Sequence, residues 1–93
     1  MRFRSHRVTG AQVREAETEV RRLDNAASWS DLAVVYGAKK RWQESEEAAA
    51  KALEKDSDEL EARYARGRAL FELGRHAEAI AELETVLLSL IHI

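Results

Sequence analysis

The run Trp29-Ser30-Asp31-Leu32-Ala33-Val34-Val35-Tyr36, followed by Ser45 and then by Ala52-Leu53, decides the fold of this chain. Trp29, Leu32, Ala33 and Tyr36 recur at steps of three and four, so they share one face of a helix predicted from about Ala27 to Lys39. The β-favouring cluster Val34-Val35-Tyr36 sits inside that helical spacing, and no strand is predicted. Lys40-Arg41-Trp42 reads as a tight connection to a helix from about Gln43 to Lys55. The buried side of that helix is made of small residues, Ser45, Ala48, Ala49 and Ala52, closed by Leu53.

Working outward, Thr9 and Gln12 form a reciprocal cap for a first helix, with Val8 and Val13 as its hydrophobic staple. Val13, Ala16, Val20 and Leu23 make its apolar stripe, Glu17 and Arg21 pair beside it, and it ends near Asp24-Asn25. On the other side, Asp56-Ser57-Asp58 offers three good N-caps for a fourth helix from about Glu59 to Leu73. That helix carries Tyr64, Gly67, Leu70 and Phe71 and stops at Gly74, a left-handed cap. A fifth begins near Ala77 with Ile80, Leu83, Val86 and Leu87. Helices this short on such tight connections fold back as antiparallel hairpins.

The sequence repeats itself at a shift of 34 positions. Arg41 falls on Arg75, Glu44 on Glu78 and Leu53 on Leu87, while Ala33 meets Gly67, Ser45 meets Ala79, Ala52 meets Val86 and Tyr36 meets Leu70. Small residues at these crossings allow interaxial distances at the close end of about 8–10 Å. Gly67 inside a helix costs about 1 kcal/mol against alanine, and close packing is the expected offset.

The composition narrows the function. There are 93 residues, 15 Lys or Arg against 17 Asp or Glu, no cysteine and no proline. Without cysteine, disulfides, thiolate metal sites and thiol nucleophiles are all excluded. The balanced charge argues against a dedicated nucleic-acid binder. No apolar run approaches the ~18 residues of a membrane helix. The basic start Met1-Arg2-Phe3-Arg4-Ser5-His6-Arg7 lacks the apolar core of a secretory signal, so it reads as a solvated arm and cytoplasmic residence is expected. His6, His76 and His92 lack i,i+3 or i,i+4 partners, Asp56-x-Asp58 lacks the rest of a calcium loop, and the four glycines form no phosphate cradle. No metal, no cofactor and no enzyme activity are predicted.

Taken together, Trp29, Leu32, Ala33, Tyr36, Ser45 and Ala52 resemble the signature of a tetratricopeptide repeat, with Gly67, Leu70, Ala79, Leu83 and Val86 in matching places of a second copy. The resemblance implies an all-α chain of five helices, antiparallel hairpins stacked as a short right-handed α-solenoid. It divides the chain into a basic arm (1–9), a helix (10–25) readable as the second helix of a degenerate preceding repeat, repeat one (26–59) and a shortened repeat two (60–87). Arg63 stands where the family prefers Trp and Arg66 where it prefers Leu. Either the second hairpin packs less tightly, or these arginines lay their stems over the core with their heads in water. Ala49 replaces an aromatic and Ser57 the closing proline.

The family implies a protein–protein scaffold whose concave groove holds a peptide or partner helix. By that resemblance Ser30, Val34 and Gly37 line it in repeat one, and Tyr64, Arg68 and Phe71 in repeat two. The Lys/Asn pattern that clamps a terminal carboxylate in chaperone-binding members is missing. Two other readings are a regulatory or oligomerisation arm of a larger enzyme or transcription factor, and non-specific nucleic-acid association through Arg2, Arg4, Arg7 and Arg14. The last six residues, Leu88–Ile93, do not extend the amphipathic pattern. They resemble the translation of a transposase adapter used in sequencing libraries, and are read as a scar on a longer natural chain. The fifth helix then lacks a cover, and self-association through that end is expected.

Overall fold

A computed structural model of the chain describes residues 8–91. Five helices, α1 (Gly10–Leu23), α2 (Ala26–Ala38), α3 (Trp42–Lys55), α4 (Leu60–Glu72) and α5 (His76–Ile91), account for its regular structure, with no strand among the described residues. Each helix packs on the next, and α4 also packs on α2. That ordering of neighbours is a solenoid: two hairpins, α2–α3 and α4–α5, stacked side by side, with α1 on the outer flank of α2.

Local chemistry fixes the helix ends. Thr9 accepts from the Gln12 amide at 3.2 Å while its own amide donates to Gln12 Oε1 at 2.8 Å, and Val8 is buried beneath that cap. A second reciprocal cap, invisible in the sequence reading, starts α2: Asn25 Oδ1 accepts from the Ser28 amide at 2.8 Å, and the Asn25 amide donates to Ser28 Oγ at 3.2 Å. Between α1 and α2, Asp24 turns left-handed at φ 45°. Its carboxylate accepts from the Trp29 indole at 2.7 Å and pairs with Lys55 Nζ at 3.3 Å, so one side chain ties three helices. The indole N–H first, then the lysine, hold this carboxyl below the usual range.

The two hairpin turns are copies of each other. Lys40 (φ 61°) and Gly74 (φ 86°) occupy equivalent places in the 34-residue register, and both are left-handed. The next amide, of Arg41 or Arg75, bonds back to the carbonyl of Tyr36 or Leu70 at 2.9 and 2.8 Å. Each arginine then clamps the glutamate three residues on, Arg41 on Glu44 at 2.7 and 2.8 Å and Arg75 on Glu78 at 2.9 Å twice. Two of the three identities in the repeat therefore build one turn twice.

The core is small-residue packing, as read from the sequence. Ala33, Ala48, Ala49, Ala52, Ala62, Ala69 and Ala79 are sealed from solvent, with Leu32, Val35, Tyr36 and Leu70 beside them. Trp29 is partly buried against this cluster. Inside hairpin one, Ser45 Oγ donates to the Ala33 carbonyl at 2.7 Å. Inside hairpin two, Gly67, the register partner of Ala33, is approached by Leu83 so closely that an added Cβ would lie 2.8 Å from that side chain. Close packing does offset the cost of that glycine.

Several expectations need correction. Leu23 is exposed, because Asp24 ends the helix before its stripe completes another turn under α2. Glu17 accepts the Tyr36 hydroxyl at 2.6 Å, and Arg21 donates to Thr18 instead. Glu59, not an Asp56–Asp58 side chain, is the α4 cap; Asp56 Oδ1 is occupied by the Asp58 amide at 2.9 Å in a turn of its own. Phe71, placed on the groove by the resemblance, lies half exposed against His76, ring centroids 4.7 Å apart. The helical run continues unbroken through Leu88 to Ile91.

The guanidinium heads of the arginines at the Trp and Leu places are held by protein oxygens rather than left to water. Arg66 bridges Glu46 of α3 and Glu82 of α5, both at 3.0 Å. Arg63 takes the other oxygen of Glu82 at 2.9 Å and the Ser57 carbonyl at 2.7 Å. Four partly buried charges thus join α3, α4 and α5 where the family places apolar bulk.

Candidate functional site

The first helices of the two hairpins, α2 and α4, pack against each other. The six groove residues expected from the sequence separate there into two sets. Val34 and Arg68, equivalent in the register, border one cleft: Val34 is half buried and Arg68 exposed. Ser30 and Gly37 do not. Ser30 is 1% exposed and donates to Glu61 Oε1 of α4 at 3.4 Å, and Gly37 is buried in the same seam, so neither offers surface to a partner. Their counterparts Tyr64 (54% exposed) and Phe71 (53%) are uncovered: among the described residues no helix lies on α4 and α5 as α4 lies on α2 and α3. The sequence placed all six on one groove; the fold assigns four of them to a stacking seam, closed in repeat one and open in repeat two.

One concavity brings four of the six together, the buried Gly37 and the exposed Tyr64 of the seam beside Val34 and Arg68. Val34, Gly37, Trp42, Ser45, Tyr64, Ala65 and Arg68 line a cleft of about 50 Å³ where α2, the start of α3 and α4 meet. Arg68 lies over the Trp42 ring at 5.1 Å, a cation–π contact. The sequence treated Trp42 as turn filler; its register match to His76, another ring at the helix start, was the available signal. Beside this seam, burial pushes the Glu61 carboxyl above its ordinary value, helped by the charges of Asp31 and Glu59.

A larger hollow, about 560 Å³, opens on the opposite side between α1 and α3. Val20, Trp29, Leu32, Tyr36 and Ala48 give it a mainly apolar lining, flanked by the charged groups of Glu17, Arg21, Glu44, Glu47 and Lys51. Burial and the Glu17 carboxylate raise the Tyr36 hydroxyl to about 12, which keeps it a donor at physiological pH.

Among the described residues no group of His, Asp and Glu is arranged to hold a metal ion. None of the described helices is long and apolar enough to cross a membrane. Arg2, Arg4, Arg7, His6 and His92, on which the nucleic-acid and histidine readings drew, lie outside the described residues, and Arg14 is exposed on α1.

Stacked antiparallel hairpins with small residues at their crossings, repeating every 34 positions, define a helical-repeat protein. The family model for the tetratricopeptide repeat matches residues 37–90, more than half of the chain. The chain belongs to the tetratricopeptide repeat family, whose repeats generally mediate contacts between proteins. No curated protein matches it individually.

Proposed function

We propose that this chain is a non-catalytic scaffold, resident in the cytoplasm, that holds a peptide or partner helix along the inner faces of α2 and α4. The observation that carries the reading is the cleft where Val34, Trp42, Tyr64 and Arg68 converge. It joins two aromatic rings to an exposed arginine, the composition of an interface anchor. Arg68, already oriented over Trp42, loses little rotamer freedom when it takes a carboxylate. The bound segment therefore carries an acidic side chain opposite Arg68 and an apolar one in the cleft.

Panning a displayed random-peptide library on the intact chain tests this. Binders enriched in an acidic–apolar pair are expected, and Arg68→Glu should weaken them at least about tenfold by reversing the charge that meets them. Binders indifferent to Arg68→Glu, or none at all, would remove the groove assignment.

A further inference from the structure

The stack has two dissimilar ends. At the α1 end the outward residues are Arg14, Glu15, Thr18, Arg21 and Arg22, a polar surface. At the other end α4 and α5 form a trough lined by Tyr64, Phe71, Ile80, Leu83, Leu87 and Ile91, all exposed or half exposed. The molecule itself states what such a trough does. Shifted back by 34 residues, the first five are Ser30, Gly37, Glu46, Ala49 and Leu53, the α2–α3 surface on which α4 rests. The open trough is that seat again, with every small or charged lining residue replaced by a large apolar one.

We propose that a second copy of this chain covers the trough, through a two-fold pairing of the α4–α5 ends. Head-to-tail stacking would press the apolar trough onto the charged outer side of α1, whereas a two-fold pairing sets apolar against apolar and closes at two copies. The area suffices. Tyr64, Phe71, Ile80, Leu87 and Ile91, exposed by 53–67%, present on the order of 600 Å² per chain, most of the ~800 Å² per partner of a standard interface. The bulk of the lining also explains why the seat suits this occupant: it keeps a close-packing alanine helix like α4 at a distance, while large side chains from two copies can interdigitate. The pairing shares Tyr64 with the peptide cleft, while Val34, Trp42 and Arg68 lie outside the trough.

Light scattering on the intact chain across about 1–200 µM should reveal a monomer–dimer equilibrium. Leu87→Glu, and separately Phe71→Glu on the other helix, should each raise the dissociation constant at least about tenfold without changing the helical circular dichroism. Leu23→Glu, at the exposed end of α1, should leave it unchanged. A wild-type monomer throughout, growth beyond two copies, or equal loss from Leu23→Glu and Leu87→Glu would each overturn the two-fold α4–α5 pairing.

Discussion

Hairpin α2–α3 and hairpin α4–α5 share one register and one turn, yet their burial differs sharply. In the first, flanked by α1 and α4, both helices bury side chains along most of their length; in the second, α5 buries only Ala79. Equivalent positions show that rank in the stack, more than residue type, sets exposure: Ser30 is sealed and Tyr64 open, Leu53 half covered and Leu87 bare. The means of cohesion differ as well. Hairpin one is closed by the Ser45–Ala33 hydrogen bond, hairpin two by the Gly67–Leu83 approach, and the charges of Arg63, Arg66, Glu46 and Glu82 clamp the two together.

That clamp is where the comparison breaks most easily. Arg66→Ala strips the largely buried Glu46 of its ion-pair partner and leaves Glu82 with Arg63 alone. A loss of about 3 kcal/mol is expected in denaturant titration, the range for stripping one partner from a buried ion network. Arg75→Ala, which breaks an exposed turn pair screened by solvent, should cost far less. Equal losses would mean that the inter-repeat charges behave as surface charges.

The two helical glycines sharpen the contrast with opposite signs. At Gly37 a methyl group would meet Ser45 Oγ at 3.4 Å and Trp42 at 3.8 Å, ordinary contacts. Gly37→Ala should therefore gain part of the ~1 kcal/mol of helix propensity. At Gly67 the methyl would collide with Leu83, so Gly67→Ala should lose about 1 kcal/mol net as the leucine is displaced. Thermal melts of the pair check this, and a stabilising Gly67→Ala would show that Leu83 turns aside freely.

The smallest effect lies at the seam. The raised Glu61 carboxyl binds its proton more tightly in the folded chain than in the unfolded one. Its contribution to stability is thus greatest in acid and is lost as pH rises through the folded value. Glu61→Gln should stabilise the chain at neutral pH by roughly a few tenths of a kcal/mol, after solvent screening is allowed for. The gain should vanish in acid; a gain independent of pH would exclude ionisation as its source.

Much of this architecture was legible in the amino-acid order. The Thr9–Gln12 cap, the Gly74 turn and the tight Gly67 crossing follow from local chemistry and spacing; the first four helices appear within a residue or two of their predicted bounds and the fifth starts one residue early. What escaped depended on neighbours remote in sequence. Nothing near Arg66 announces that Glu46 and Glu82 will converge on it, and nothing near Ser30 announces that α4 will cover it while Tyr64 stays open. The Asn25–Ser28 cap was missed because a serine, where glutamate or glutamine is usual, returns the bond.

Trp29 and Trp42 lie on opposite sides of that division of labour. Trp29 is fastened to Asp24 at the α1–α2 corner, and Trp42 sits beneath Arg68 of α4. Each indole thus carries its own native optical tag, one for the amino-terminal corner and one for the docking of the second hairpin. Single-tryptophan versions would let fluorescence follow, without any added dye, which joint of the array lets go first.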